Sequence, residues 1–186
     1  MGVRSKVKRP AVFLDRDGTL IEQFDEITDF SQMRILRGVP EGIRLLNKSR
    51  FLVIVVTNQP VIGKGLVTKK KVDEMHMALS AQLKEEGAFI DAFYVCPHRY
   101  GENCACRKPN LGLIEAAIQE HGIDVPSSFF VGDDMRDIET GRRAKMKTIL
   151  VETGNAGRDT RYFNVQPDEV AHDLVAAAES IIRVRE

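Results

Sequence analysis

Between positions 51 and 56 the chain reads Phe-Leu-Val-Ile-Val-Val, with no polar interruption. An unbroken β-branched run of this length reads as a strand covered on both faces, and such strands belong to parallel sheets. Four further runs read as strands: Ala11–Leu14, Phe89–Val95, Ser128–Gly132 and Lys147–Val151. Between them lie segments of helical character. Gly38-Val39-Pro40 opens one, with Val39, Ile43, Leu45 and Leu46 near helical spacing. Thr68 caps a long one reaching about Glu86, with Val72, Met75, Leu79 and Leu83 on one stripe. Others are expected from Pro109 to about Glu120, just after Asp134, and from Val170 to Ile182. Ile21 to Leu36 and Gly154 to Asp168 read as irregular, and Pro60 to Gly65 as a flexible loop. Strands alternating with helices predict an α/β fold, a doubly wound parallel sheet. The 186 residues show no repeat, no low-complexity segment and no linker, so one domain over residues 1–186 is expected.

Charge narrows the partners. The formal net charge is zero, so no overall field draws the chain to nucleic acid or to an acidic membrane. The basic residues Arg4, Lys6, Lys8 and Arg9 run straight into the first strand, unlike a secretory signal. Lys6 stands where a myristoylation motif needs Ser or Thr. No apolar run approaches the roughly 20 residues of a membrane span. The expectation is a cytoplasmic monomer with no nucleic-acid or membrane partner.

The first strand ends at Asp15, and Asp17 follows two positions later, before Gly18 and Thr19. Carboxylates placed this close repel, and burial raises their pKa unless a cation lies between them. Magnesium prefers oxygen ligands and would resolve both problems. The second strand run is followed by Thr57 and Asn58, and the fourth by Asp133 and Asp134. In parallel sheets ligands bind beyond the carboxyl ends of the strands, so these distant groups are expected to meet in one site. Lys69, Lys70 and Lys71 read as a solvated helix face, and His76 as a surface or packing residue.

All three cysteines lie in one short stretch with a histidine: Cys96-Pro97-His98 and Cys104-Ala105-Cys106. Residues two apart in an extended chain point to the same side, so each pair presents two ligands. Three thiolates and one imidazole make a closed tetrahedral zinc site of the structural kind. Zinc there would steady the adjoining Arg107 and Lys108.

Asp15-x-Asp17-Gly18-Thr19, Thr57 after an apolar strand, Lys108, and Gly132-Asp133-Asp134 stand in this order. Over nearly the whole chain they resemble the haloacid dehalogenase superfamily of phosphohydrolases. The resemblance implies a Rossmann-like fold and hydrolysis of a small phosphorylated metabolite through an aspartyl-phosphate. It implies Asp15 as nucleophile, and Asp17 as the acid that protonates the leaving oxygen and then activates water. It implies magnesium on Asp15, Asp133 and the main-chain carbonyl of Asp17, with Asp134 or Asp137 in support. Thr57 and Asn58 would hold phosphoryl oxygens, and Lys108 would place a positive charge against them.

Together with Thr57-Asn58-Gln59, the two Cys/His pairs and Arg107-Lys108-Pro109, the chain is similar to a narrower, capless branch. That branch contains the D-glycero-D-manno-heptose 1,7-bisphosphate phosphatases and the histidinol-phosphate phosphatases. The loop Pro60 to Leu66 is closer to the heptose enzymes, and the short His98 to Cys104 connection is closer to the histidinol enzymes. Asp134 stands where heptose enzymes often carry lysine. The heptose bisphosphate is the favoured substrate, with Arg107 and Lys64 as cations for its second phosphate, and histidinol phosphate is the alternative. Thr57-Asn58-Gln59 also resembles DNA 3′-phosphatases, but the neutral charge does not supply the basic surface they need. A non-enzymatic zinc-binding module would be expected to lack a catalytic group, and none is missing.

Overall fold

The computed structural model describes residues 8–158 and 165–185. The basic residues Arg4 and Lys6, and residues 159–164 of the irregular segment, lie outside them. Among the described residues, six strands form one sheet: β1 (Ala11–Leu14), β2 (Leu52–Asn58), β3 (Ala92–Cys96), β4 (Phe129–Gly132), β5 (Lys147–Val151) and β6 (Glu169–Ala171). All pair in parallel, in the order β3-β2-β1-β4-β5-β6. The helices are α1 (Val39–Lys48), α2 (Pro60–Gly63), α3 (Lys69–Glu85), α4 (Gly112–His121), α5 (Met135–Arg143) and α6 (Leu174–Arg183).

Side chains alternate across the sheet, as the two-residue period of a strand demands. Val12 and Leu14 of β1, Val53 and Val55 of β2 and Val131 of β4 join one core layer with α1, α3 and α6. Ala11, Phe13, Ile54, Val56 and Phe130 face the opposite layer, with Leu113, Ile114 and Ala117 of α4. Both faces are therefore covered, which is why the strands read as continuous apolar runs.

Three expectations need correction. Val170 opens no helix: Glu169–Ala171 pairs with β5 as an edge strand, and α6 starts at Leu174 behind its cap, Asp173. With half-exposed Val170 in the middle, no apolar run announces this strand. The stretch after β2 is not a flexible loop throughout, because Pro60–Gly63 is a helical turn. Pro60 presets its first φ angle, Val61 is buried, and the Gly63 N–H donates to Pro97 O at 2.9 Å. A short 3₁₀ turn, Phe30–Gln32, interrupts the irregular segment before α1, its N-terminus capped by the reciprocal pair Asp29 and Gln32.

Strand order decides where a site forms. β1 lies between β2 and β4, and the chain winds outward from it in both directions. The crevice beyond the carboxyl ends, at this point of reversal, is where open α/β sheets bind ligands. Asp15 leaves β1 there, beside Thr57 of β2 and Asp133 after β4.

Candidate active site

Asp15, Asp17, Thr57, Asn58, Lys108, Asp133, Asp134 and Asp137 line one pocket at that crevice, with Gln23, Arg136 and Asn155. Its volume is about 150 Å³, enough to admit a phosphoryl group. A neighbouring cleft of about 270 Å³ shares Lys108 and Arg136 with it, and adds Arg107 and Tyr100.

Lys108 is the hub. Only 4% exposed, its ammonium lies 2.8 Å from Asp15 Oδ1 and 2.7 Å from Asp137 Oδ1. Burial alone would lower its pKa, but Asp137 and Asp15 outweigh that and hold it raised. Its main chain is clasped by Asn58: the Lys108 N–H donates to Asn58 Oδ1 at 3.0 Å, and Asn58 Nδ2 donates to Lys108 O at 3.3 Å. The sequence assigns Asn58 to a phosphoryl oxygen; in the structure its amide holds the lysine in place.

Asp15 Oδ1 also accepts from the Arg16 N–H at 2.7 Å. Asp15, Asp133 and Asp137 each bring a carboxylate oxygen within 4.8 Å of the others. Burial, then the Asp15 and Asp137 charges, push Asp133 up to about 8; burial likewise raises Asp137 to about 7, against the pull of Lys108. Three carboxylates around one lysine are thus undercompensated. A hard divalent cation among all-oxygen donors fits this cluster on charge and on donor type. Glycine is required at its edge: Gly18 has φ +80°, and a Cβ there would collide with the Asp133 carboxylate, as would one at Gly154.

Asp134 lines the pocket but is not one of the three carboxylates that meet within 4.8 Å of one another. It caps α5, accepting from Arg136 N at 2.8 Å, while Asp137 Oδ2 accepts from the Asp134 N–H at 3.3 Å. Asp137 is the third member of the carboxylate cluster. Asp17 stands apart: Arg16 Nη2 donates to both its oxygens, at 2.8 and 3.0 Å, and Gln59 Nε2 donates to Oδ2 at 2.8 Å. Gln59 Nε2 also reaches Thr57 Oγ1, at 2.9 Å. Burial raises the Asp17 pKa, and Arg16 opposes the rise.

Lys64 does not reach the pocket lining; it pairs with Glu26 at 2.7 Å on the surface. Arg136 lines both cavities instead. Arg107 lies half-buried nearby, donating from Nη1 to His98 O at 3.0 Å, and burial and the Arg136 charge lower its pKa. Sequence reasoning gave no role to Gln59, which it named only within a motif, and missed Arg136 and Asn155. Asn155 had a signal: Thr153-Gly154-Asn155 follows β5 as Asp133 follows β4. The Asn155 N–H donates to Asp133 Oδ2 at 2.6 Å, and Thr153 Oγ1 to Gly18 O at 2.6 Å.

Cys96, His98, Cys104 and Cys106 converge on one point. The three sulfurs are 3.3, 3.7 and 3.8 Å apart, and His98 Nδ1 lies 3.1 Å from Cys106 Sγ and 3.6 Å from Cys96 Sγ. A tetrahedral zinc ion with bonds of about 2.3 Å sets sulfurs about 3.8 Å apart, so the cluster is compatible with zinc. The loop it gathers is tied to the sheet: Gln59 N–H donates to Cys96 O at 2.8 Å, and Asn110 Nδ2 to Cys104 O at 2.7 Å.

The HAD-hydrolase-like family model matches residues 105–177. A D-glycero-β-D-manno-heptose-1,7-bisphosphate 7-phosphatase of Pasteurella multocida is 35% identical, over 78% of this chain and 83% of that protein. A D-glycero-D-manno-heptose-1,7-bisphosphate 7-phosphatase of Thermosynechococcus vestitus is also 35% identical, over 93% of this chain and 95% of its own. Among solved structures, D,D-heptose 1,7-bisphosphate phosphatase from B. bronchiseptica, complexed with magnesium and phosphate, superposes with a TM-score of 0.86. It is 29% identical and covers 94% of this chain and 99% of its own.

Proposed function

We propose, since this chain belongs to the haloacid dehalogenase-like phosphatases, that it removes the 7-phosphate from a D-glycero-D-manno-heptose 1,7-bisphosphate. The observation that carries the reading is the junction of two cavities at Lys108. One cavity fits the reacting phosphoryl group, and the other presents Arg107 and Arg136 to a second anion. The names of the similar proteins support the same substrate.

In this reading one oxygen of Asp15 attacks phosphorus, the bond from phosphorus to the sugar oxygen breaks, and Asp17 gives that oxygen its proton. Water then attacks the aspartyl-phosphate, Asp17 takes its proton, and Asp15 is restored. Lys108 balances the charge on Asp15 and on the phosphoryl oxygens throughout, and Thr57 donates to one of them. Magnesium, held by Asp15, Asp133 and the Asp17 carbonyl with Asp137 beside them, would offset phosphoryl charge and orient the group. Zinc on Cys96, His98, Cys104 and Cys106 would serve as a structural crosslink. A cytoplasmic location fits three thiols kept reduced for it.

Two results test this. Steady-state comparison of a heptose 1,7-bisphosphate, histidinol phosphate and 4-nitrophenyl phosphate should rank the bisphosphate first in kcat/KM. Arg107→Ala should lower that value by on the order of 10- to 100-fold, the worth of a charge-assisted hydrogen bond, with a smaller effect on the aryl ester. Faster turnover of histidinol phosphate, or an equal penalty on every substrate, would reverse the assignment.

The second concerns zinc. Protein purified without added metal should carry one zinc per chain by elemental analysis. Cys104→Ser should lose zinc and lower activity by on the order of 10- to 100-fold, since a shift of about 1 Å in a charged group costs that much. Zinc near zero, with thiols freely titratable in native protein, would contradict it.

A further inference from the structure

We propose that Arg16 and His76 form a brace that sets the position of the Asp17 carboxylate, and that this brace governs departure of the leaving group. The inference rests on reading Asp17 as the proton donor.

Arg16 is 1% exposed and heads the largest fully buried side chains of the protein. A guanidinium is buried only with partners that use its donors. Nε donates to Asp17 Oδ1 at 3.1 Å, and Nη2 to both Asp17 oxygens. Nη1 turns the other way, to His76 Nε2 at 3.0 Å. Arginine has donors and no acceptor, so Nε2 must be the acceptor and His76 must be neutral, with its proton on Nδ1. Burial, then the Arg16 charge, holds the His76 pKa down to about 3, in keeping with that state. The imidazole stacks on Phe93 of β3, with ring centroids 4.5 Å apart and planes 13° apart. The brace thus runs from Asp17 through Arg16 to a ring fixed between α3 and the sheet edge.

Packing alone does not ask for this arrangement. A histidine in a structural role needs only its ring, whereas here the ring nitrogen ends a chain of donors aimed at one carboxylate. With Gln59 on its other side, Asp17 has both oxygens held. Asp17 sits on a turn, where an unbraced carboxylate would take several rotamers, and proton transfer needs placement within fractions of an ångström. The brace also acts electrostatically. When the sugar oxygen takes the proton from Asp17, the new carboxylate charge forms against Arg16. That same ionised form then takes a proton from water in the second step.

The test separates ring from acceptor. His76→Phe keeps a ring to stack on Phe93 and removes the acceptor. His76→Gln removes the ring and returns an amide oxygen. For each, kcat/KM is measured on heptose 1,7-bisphosphate, whose leaving oxygen is an alkoxide, and on 4-nitrophenyl phosphate, whose leaving group departs without protonation. This parameter stops at the first irreversible step, so the shared hydrolysis of the aspartyl-phosphate does not enter. His76→Phe should lower the alkyl value by on the order of tenfold or more, the aryl value much less, and His76→Gln should recover most of the loss. Arg16→Lys, which keeps the charge and loses the two-point grip, should repeat the alkyl-selective loss, and it carries the test if His76→Phe does not fold. Equal losses on the two esters, or a His76→Gln variant worse than His76→Phe, would overturn the brace. Asp17→Asn is the reference: if it too affects both esters alike, the reading of Asp17 as acid fails first. An alkyl-selective loss in Asp17→Asn alone would sink the brace and leave that reading standing.

Discussion

Asp15→Asn should leave a folded protein whose turnover of any phosphate monoester has fallen by on the order of 10⁴-fold or more, as expected when a covalent nucleophile is removed. The substitution is nearly isosteric, and Asn Oδ1 can still accept from Lys108 and from the Arg16 N–H. An amide oxygen is a poor nucleophile, so the aspartyl-phosphate cannot form. The fold should survive, because one of three crowded negative charges has gone: Asp133 and Asp137, both raised by their neighbours, lose a source of repulsion. Circular dichroism and thermal melting check the fold, and mass spectrometry checks that the amide has not reverted. Substantial turnover by folded, unreverted Asp15→Asn would end the covalent mechanism.

Lys108→Met should be costly in two separable ways. Among the described residues the ammonium is the one cation placed between Asp15 and Asp137, at 2.8 and 2.7 Å. Methionine fills similar space beside the Phe130 ring and leaves buried carboxylates without their partner. Breaking a buried pair from one side costs about 3–5 kcal/mol, so metal-free protein should melt markedly lower. Magnesium should restore part of this stability by supplying positive charge to the same carboxylates. Activity should fall by on the order of 10²- to 10³-fold and stay low at saturating magnesium, because a fixed donor at the phosphoryl group is not replaced by the metal. Denaturant melts with and without magnesium, alongside steady-state rates, give both readings. A melting point unchanged in the absence of magnesium would mean that Lys108 is not the counter-charge of this cluster.

These expectations draw on two sources, and the split between them has a physical cause. β1 and β5 stand where their apolar runs stand, and α1 and α3 follow their stripes, because burial on one or two faces imposes a period that a single segment displays. The groups with the most specialised chemistry were legible as well. Asp15, Asp17, Thr57, Lys108 and Asp133 fall at strand ends or beside the cysteine loop, and the four zinc-type ligands lie within eleven consecutive positions. Local spacing carries that information.

Tertiary structure alone decided the partners. Asn58, at the pocket wall, is tied by its amide to the Lys108 main chain, Lys64 is taken up by Glu26, and Arg136 reaches the second cavity. Arg16 meets a histidine 60 positions away. Each of these depends on which strand lies beside which, and a residue's own neighbours in the chain do not record that. β6 is the same lesson in the backbone: three residues with an exposed centre become a strand only because the edge of β5 is there to pair with. Periodicity reports how one element meets the core; hydrogen bonds and ion pairs between elements are settled when sheet order brings distant side chains within reach.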